Sequence, residues 1–359
     1  MKNKPTVLHV FPDKGGVFIC SQVVSKIYVE QGMEVVDVIV APSDNTSSVV
    51  NQLNRYPNAI YHFEAGAGDS KILAIARRTL KSSRHKQIMT VHDTGQFVRH
   101  PLDNRFTRSK NGLVKITGKF IRKTLSVLLG KRIRVAYLSS NNVVPVYLRK
   151  DLAQVAGAEY LPQPVYTQGV LITRKPTNKP TVVGYGGYWG QYKGLETIIQ
   201  AWQTGKFKNY KLIVSGGTAE ENDSYSVAIR KALLALRPKP ELPGFVEDLD
   251  KFLLSLSILL LPYWPELPSG TSAMAMRAAE LGVPIIASDT PALSEQLGDK
   301  GVTYIEPKNT GALVKALEDL ESNWDKIQKD ALQLSKRINQ DHSWKTVGKR
   351  LIDIVEKAE

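Results

Sequence analysis

The sequence predicts an α/β protein of two domains, each a mostly parallel sheet covered by helices. Three observations carry that prediction. A chain of 359 residues is longer than one hydrophobic core usually grows. Short apolar runs of strand length alternate with helical segments from end to end, the pattern of repeated strand-helix-strand units. The interval 162–180 (PQPVYTQGVLITRKPTNKP) holds Pro162, Pro164, Pro176 and Pro180 and reads as a connection between domains. With the boundary near residue 170, the domains are 1–170 and 171–335. A terminal helical segment, 336–359, is expected to pack back toward the first domain.

In the first domain, residues 6–11 (TVLHVF) form a short apolar strand that runs into Pro12-Asp13-Lys14-Gly15-Gly16 before a helix over 17–31. A glycine pair at that point either lets backbone approach a ligand or makes a tight turn. It lacks the third glycine of the dinucleotide-binding fingerprint. Strands follow at 34–41, 59–63 and 87–91, with a helix over 69–82 between the last two. The loops after strands three and four, 64–68 and 92–95, are polar and glycine-bearing, so they should border one cleft. His92 directly follows a strand end, where it either reaches a substrate or is a structural histidine bonded to Asp93 or a neighbouring loop. A further strand is predicted at 135–139 and a helix at 143–149.

Between them lies the most basic part of the chain. From Arg99 to Arg134 there are eleven Lys and Arg residues against one acid, Asp103. Over 113–129 these interleave with Leu113, Ile116, Phe120, Ile121, Leu125 and Leu128. Such a segment is either an amphipathic basic helix able to lie on an anionic membrane surface or an ordinary helix with solvated lysines. No aromatic stacking array accompanies the charge, which argues against nucleic acid.

The second domain opens with a strand at 181–185, then Gly186-Gly187-Tyr188-Trp189-Gly190-Gln191-Tyr192-Lys193-Gly194, then a helix over 195–202. A glycine-rich loop with a lysine just ahead of the first helix suits a phosphate: Gly187 permits close approach and Lys193 supplies charge. The loop lacks the Lys-Ser/Thr ending of a P-loop, which argues against ATP hydrolysis. A strand at 210–215 and a helix over 224–235 come next. Asp248 and Asp250 precede a helical segment, where acids act as caps more often than as metal ligands. The stretch 259–295 reads as buried strand, Pro/Gly/Ser loop, helix over 271–281, buried strand at 283–287, and a helix opened by Pro291. Its Ser269-Gly270-Thr271 loop points backbone donors at one spot, an anion site by construction. A last strand at 301–306 and helices over 310–320, 321–338 and 343–359 complete the chain.

Composition removes several function classes. Hydrophobic residues make up 42% and charged residues 23%, the balance of a globular protein. No run reaches the roughly 18 to 20 apolar residues of a membrane span, and no signal-peptide core follows the N-terminus, so a cytosolic protein is expected. The lone Cys20 excludes an intrachain disulfide and reads as a packed residue. The six histidines show no ligand-like spacing, so no metal is expected. The net charge of +14 attracts phosphates or anionic lipid.

Gly15-Gly16, His92, Lys193-Gly194, Gly244-Phe245-Val246, Pro262 followed by Glu266, Gly282 to Ser288 (GVPIIAS), Glu295 and Ser343-Trp344 stand in an order and spacing that resembles the two-domain retaining glycosyltransferases. The resemblance is to glycosyltransferase family 4, or glycosyl transferases group 1, and spans nearly the whole chain, most specifically 181–306. It implies two facing Rossmann-like domains, the GT-B fold. It further implies that Gly15 and Gly16 lie near the donor phosphates or the acceptor and that His92 contacts the transferred sugar. Lys193 would neutralise the donor diphosphate in place of a metal, and Val246 would flank the nucleobase. Ser269, Gly270 and Thr271 would bind phosphate oxygens, and Glu295 the nucleotide ribose.

Two departures accompany the match. The family usually carries an arginine five residues before its lysine, where this chain has Tyr188. Its paired-glutamate motif is also altered: Glu266 fits the first acid, but Arg277 stands where the second should be, three positions further on than the pattern. Arg277 either replaces the charge lost at Tyr188 or pairs with Glu280, and Glu266 either touches the sugar or is a loop acid.

The expected function is hexose transfer, with retention, from a UDP- or GDP-sugar to a glycan. A polyprenyl-phosphate-linked or envelope polysaccharide precursor is the expected acceptor, with the enzyme at the inner face of the plasma membrane through Arg99–Arg134. No cofactor is expected to be required. The alternative is a non-catalytic relative that binds a nucleotide, glycan or protein partner.

Overall fold

The computed structural model describes residues 5–66, 70–92, 136–168, 173–217, 223–265 and 271–359. These divide into two compact units. One comprises Met1–Pro164, Ser269–Thr271 and Trp344–Glu359, the other Val165–Pro268 and Ser272–Ser343. Each is a six-stranded sheet in which every named strand pair is parallel.

In the first unit the strands are β1 (Val7–Pro12), β2 (Val35–Val40), β3 (Ile60–Ala65), β4 (Gln87–Val91), β5 (Val143–Tyr147) and β6 (Glu159–Tyr160), in spatial order β2-β1-β3-β4-β5-β6. The order reverses between β1 and β3, and such a switch point opens a crevice at the carboxyl ends of the strands. β1, β3 and β4 are buried along almost their whole length because helices cover both faces. The helix Gly15–Glu30 buries Cys20, Val23, Val24 and Ile27. The helix Trp344–Ala358 closes the same unit: it buries Val347, Leu351, Ile354 and Val355, and the Ala358 carbonyl accepts from Lys86 N–H at 2.8 Å, just ahead of β4.

Two elements exchange type relative to the sequence expectation. Residues 136–138 are helical, and Tyr137 is buried with its hydroxyl donating to Gln87 Oε1 at 2.6 Å. The run Val143–Tyr147 (VVPVY) is strand β5, not a helix. Three valines and a tyrosine fit a pleated buried surface, and that preference prevails here. The helix follows it, at Lys150–Ala156, and ends on Gly157 in the left-handed conformation, φ +59°.

In the second unit the strands are β7 (Val182–Tyr185), β8 (Lys211–Ser215), β9 (Glu241–Gly244), β10 (Ile258–Leu261), β11 (Ile285–Ser288) and β12 (Thr303–Ile305), in order β12-β11-β10-β7-β8-β9. This is the doubly wound Rossmann order, with its switch point between β7 and β10. The short edge strand β9 has no counterpart in the sequence reading, since ELPG offers no alternation to mark it. The core gathers Val183, Leu195, Ile198, Trp202, Leu212, Leu233, Ile258 and Leu313. Among the described residues no helix is long and apolar enough to cross a membrane.

Candidate functional site

At the second unit's switch point the loops after β7 and β10 are locked together. Gly194 adopts φ +68°, and a Cβ there would sit 1.9 Å from the Pro262 carbonyl oxygen, so only glycine fits. Trp264 N–H donates to the Tyr192 carbonyl at 2.7 Å, and Trp189 N–H to the Gly217 carbonyl at 2.8 Å. Gly187, at φ +125°, has open space where a side chain would be. Lys193 ends a single 3-10 turn, Gln191–Lys193, and its ammonium lies 3.7 Å from the centre of the Tyr263 ring and 5.0 Å from that of Tyr192. Aromatic faces attract a cation through the negative face of the ring.

Tyr263 joins this lysine to the start of the helix Ala273–Glu280. Its hydroxyl lies 3.2 Å from Ser272 Oγ, which caps the helix by accepting from Ala275 N–H. Gln296 holds the cap from the other side: its Oε1 accepts from Ser272 N–H at 2.8 Å and its Nε2 donates to the Ser272 carbonyl at 3.0 Å. Thr271 immediately precedes the cap, and Glu295, half-buried, adjoins Gln296 on the helix Pro291–Leu297. Val246 is half-buried beside Phe245, whose exposed ring packs edge-on against exposed Tyr188 at 5.5 Å between centres. Glu266, Ser269 and Gly270 fall outside the described residues, as does the basic segment 99–134.

Arg277 lies in a different environment. It is buried at 4% exposure and bonds Asp250 through Nε at 2.6 Å and through a second nitrogen, and Glu280 at 2.6 Å. Burial alone would lower its pKa, yet the hydrogen bonds to Asp250 and Glu280 hold it above the ordinary value. The ion pair with Glu280 is thus formed, and Asp250 adds a second carboxylate. Glu280 in turn accepts the backbone N–H groups of Tyr166 and Thr167, both at 3.0 Å, and so clasps the start of the connecting segment. Asp248 caps its helix by accepting from Lys251 N–H.

In the first unit Gly15, at φ +85°, opens the helix Gly15–Glu30 with clear space at its Cα, and Gly16 follows in the first turn. His92 follows β4 and meets a group that the histidine spacing concealed. Its Nε2 lies 2.5 Å from Oε2 of Glu64, a carboxylate that is fully buried. Glu64 Oε1 is 3.2 Å from His9 Nε2 and 3.5 Å from His62 Nε2. His9 and His62 stand side by side in the β1-β3 register with stacked rings 4.8 Å apart, and Glu64 projects two residues along β3, on the same face. His9 Nδ1 meets Ser25 Oγ at 2.7 Å, and Ser25 donates to Asp37 at 2.6 Å. His62 meets the Tyr28 hydroxyl at 2.9 Å and Thr90 Oγ1 at 2.7 Å.

His9, His62 and Glu64 offer ligand atoms within 4.8 Å of one another, a donor set suited to a divalent cation. Both nitrogens of each imidazole are already engaged by hydroxyls or the carboxylate, so the cluster is satisfied as a hydrogen-bonded network. Burial alone would raise the Glu64 pKa, but His62, His92 and His9 together hold it well below the carboxylate range. For His62 burial dominates, with Glu64 opposing and His9 and His92 adding to it, and the pKa falls to about 3.

That shift has a sign. A base whose folded pKa lies below its ordinary 6.5 stays neutral in the fold while the unfolded chain takes up a proton. Stability is therefore full above pH 6.5 and falls as the pH drops from 6.5 toward 3, by on the order of 5 kcal/mol over the whole interval. Denaturant titrations of wild type should weaken from pH 6.5 downward, and His62→Gln should flatten the slope between pH 6.5 and 5. Parallel slopes would exclude His62 as the source.

Residues 179–323 match the family model described as glycosyl transferases group 1. No curated protein sequence matches the chain. Among solved structures, Anabaena Alr3699/HepE in complex with UDP-glucose is similar over 97% of this chain and 99% of its own, with TM-score 0.71 and 12% identity. Sucrose-phosphate synthase from Thermosynechococcus elongatus is similar over 99% of both chains, with TM-score 0.71 and 12% identity. TarM matches 87% of this chain and 58% of its own, with TM-score 0.60 and 14% identity. Identities this low speak to fold alone, and the fold they share is the two-domain one described above. The chain has the GT-B fold, and its residues 179–323 resemble the glycosyl transferases of group 1.

Proposed function

We propose that the protein is a retaining glycosyltransferase that moves a hexose from a UDP- or GDP-sugar to a glycan. The observation that carries this reading is the second unit's switch point, where Lys193 stands on the Tyr263 ring and Tyr263 reaches the capped start of the helix Ala273–Glu280. A cation and the N–H groups of a helix start are two means of binding a diphosphate without a metal. The flanking Tyr188-Phe245 pair offers aromatic surface beside Val246 for a nucleobase, and Glu295 lies on the helix whose Gln296 braces the cap.

In the reaction proposed, the bond from the anomeric carbon to the diphosphate lengthens while Lys193 and the helix start stabilise the charge growing on the leaving oxygen. That oxygen takes the proton of the acceptor hydroxyl attacking from the same face, which retains configuration. His92 contacts the sugar. The acceptor, a polyprenyl-phosphate-linked or envelope glycan met at the inner face of the membrane, rests on the composition of residues 99–134.

A second reading, a non-catalytic binder of nucleotide, glycan or protein, draws support from Tyr188 and from Arg277, whose guanidinium is engaged by Asp250 and Glu280. Calorimetry with UDP, GDP and ADP, followed by donor-sugar hydrolysis, separates the two. Binding of one diphosphate with turnover is expected. Binding without turnover would favour the second reading, and no binding of any of the three would remove the proposed phosphate site.

A further inference from the structure

The buried carboxylate of the first unit has no part in the reaction as described, yet it is the partner of the histidine that meets the sugar. The hydrogen bonds around it form an ordered series. Ser25 has a single proton and gives it to Asp37, whose side chain is 40% exposed and can only accept. Ser25 must then accept from His9 Nδ1–H. His9 Nε2 also faces a carboxylate oxygen of Glu64, at 3.2 Å. A continuous chain of contacts results, from Asp37 through Ser25 and His9 to Glu64 and His92.

Every link except the two ends is deeply enclosed. His9 and Glu64 are fully buried, Ser25 is 8% exposed, and the side chain of His92 retains 10%. The carboxylate is held in place, because β3 fixes its backbone and His9 meets Oε1 while His92 takes Oε2. A buried anion is costly when left unpaired, so the 2.5 Å contact with Oε2 is satisfied only with a proton on His92 Nε2.

We infer that Glu64 is a positioning residue for His92: its carboxylate, anchored by His9, Ser25 and Asp37, selects the Nε2–H tautomer of His92 and leaves Nδ1 as that ring's only acceptor. Resting on the glycosyltransferase reading, this makes His92 an acceptor for a hydroxyl of the bound hexose and not a donor to it. A sugar lacking that hydroxyl is thereby disfavoured, since the nitrogen would be left without its proton donor.

The test reads the tautomer without any substrate. In long-range ¹H–¹⁵N spectra of the full chain, with the His92 signals assigned by their loss in His92→Gln, wild type should show a protonated Nε2 and an unprotonated Nδ1 at pH 7.5. A protonated Nδ1, alone or with Nε2, overturns the inference whether or not the protein transfers sugar, and whether or not any variant folds. Glu64→Gln should convert the pattern to a mixture of tautomers. It should also lower kcat about 100-fold, the scale of a misplaced contact group, with the donor KM moving less than about threefold. A folded Glu64→Gln protein with an unchanged His92 pattern and kcat would also overturn it. Wild type with the expected tautomer and no transferase activity would instead count against the function proposed above.

Discussion

Arg277→Met should cost the second unit about 3 to 5 kcal/mol in urea denaturation, the usual loss when one partner of a buried ion pair is removed. Arg277 is 4% and Glu280 2% exposed at the side chain, and Asp250 is the only member of the triad with appreciable exposure, 39%. Taking away the guanidinium leaves Glu280 with the N–H groups of Tyr166 and Thr167 and the Thr167 hydroxyl, but without a counter-charge. Adding Glu280→Gln to Arg277→Met should recover most of the loss, because the uncompensated anion is then gone. A loss below about 1 kcal/mol would put the pair among solvent-screened ones. The experiment also bears on function: a near-normal nucleotide affinity in the double variant would leave Arg277 no role as a second cation for the diphosphate.

Lys193→Ala should lower transfer activity by roughly 10- to 150-fold, the equivalent of a charged contact worth about 1.5 to 3 kcal/mol. The loss should appear against a diphosphate donor and shrink for binding of the bare nucleoside. The ammonium stands over the Tyr263 and Tyr192 rings, and its removal withdraws the cation from both ring faces. Near-normal turnover in a folded Lys193→Ala protein would defeat the assignment. Tyr263→Leu offers a graded companion: the charge remains, but both the ring under Lys193 and the hydroxyl beside Ser272 are lost.

Much of the fold was legible because the strands are short apolar runs closed by glycine or proline. The strands at Gln87–Val91 and Ile258–Leu261 and the helix at Ser224–Ala235 fall where periodicity and flanking residues put them. The exchange around 135–149 shows the limit of that signal. The sequence RVAYLSSNNVVPVYLR carries apolar residues on both sides of Asn141-Asn142, and only the fit of valines into the slot beside β4 decides which side is strand. Pro145 obscured it further, since a proline inside a central strand argues against one.

In the second unit, local signals served the site well. Gly194 and Lys193 are neighbours in the chain, and the loop geometry that aims the lysine is built from the same dozen residues. The Lys193–Tyr263 contact is not local and was missed. In the first unit the cluster was invisible, because His9, Glu64 and His92 come from three strands or strand ends and meet only through sheet register. A trace of it was present: His62 and Glu64 alternate with apolar residues on a strand, so both must face one side of a sheet whose two faces are buried. Two polar side chains on a buried face call for partners, and the remaining histidines were the available ones.

The helix Trp344–Ala358 has a consequence for how this protein is made. The first unit's sheet is complete in the chain by Tyr160, but its cover is not: the Ala358 carbonyl takes the Lys86 N–H, and Leu351 and Ile354 fill the core beside β4 and β5. On the ribosome, then, the first unit must wait with an apolar face open while all of Val165–Ser343 is synthesised, and the second unit, whose chain from 165 to 343 is nearly continuous, can finish first. The half of the protein translated earliest is thus the last to receive all of its own chain.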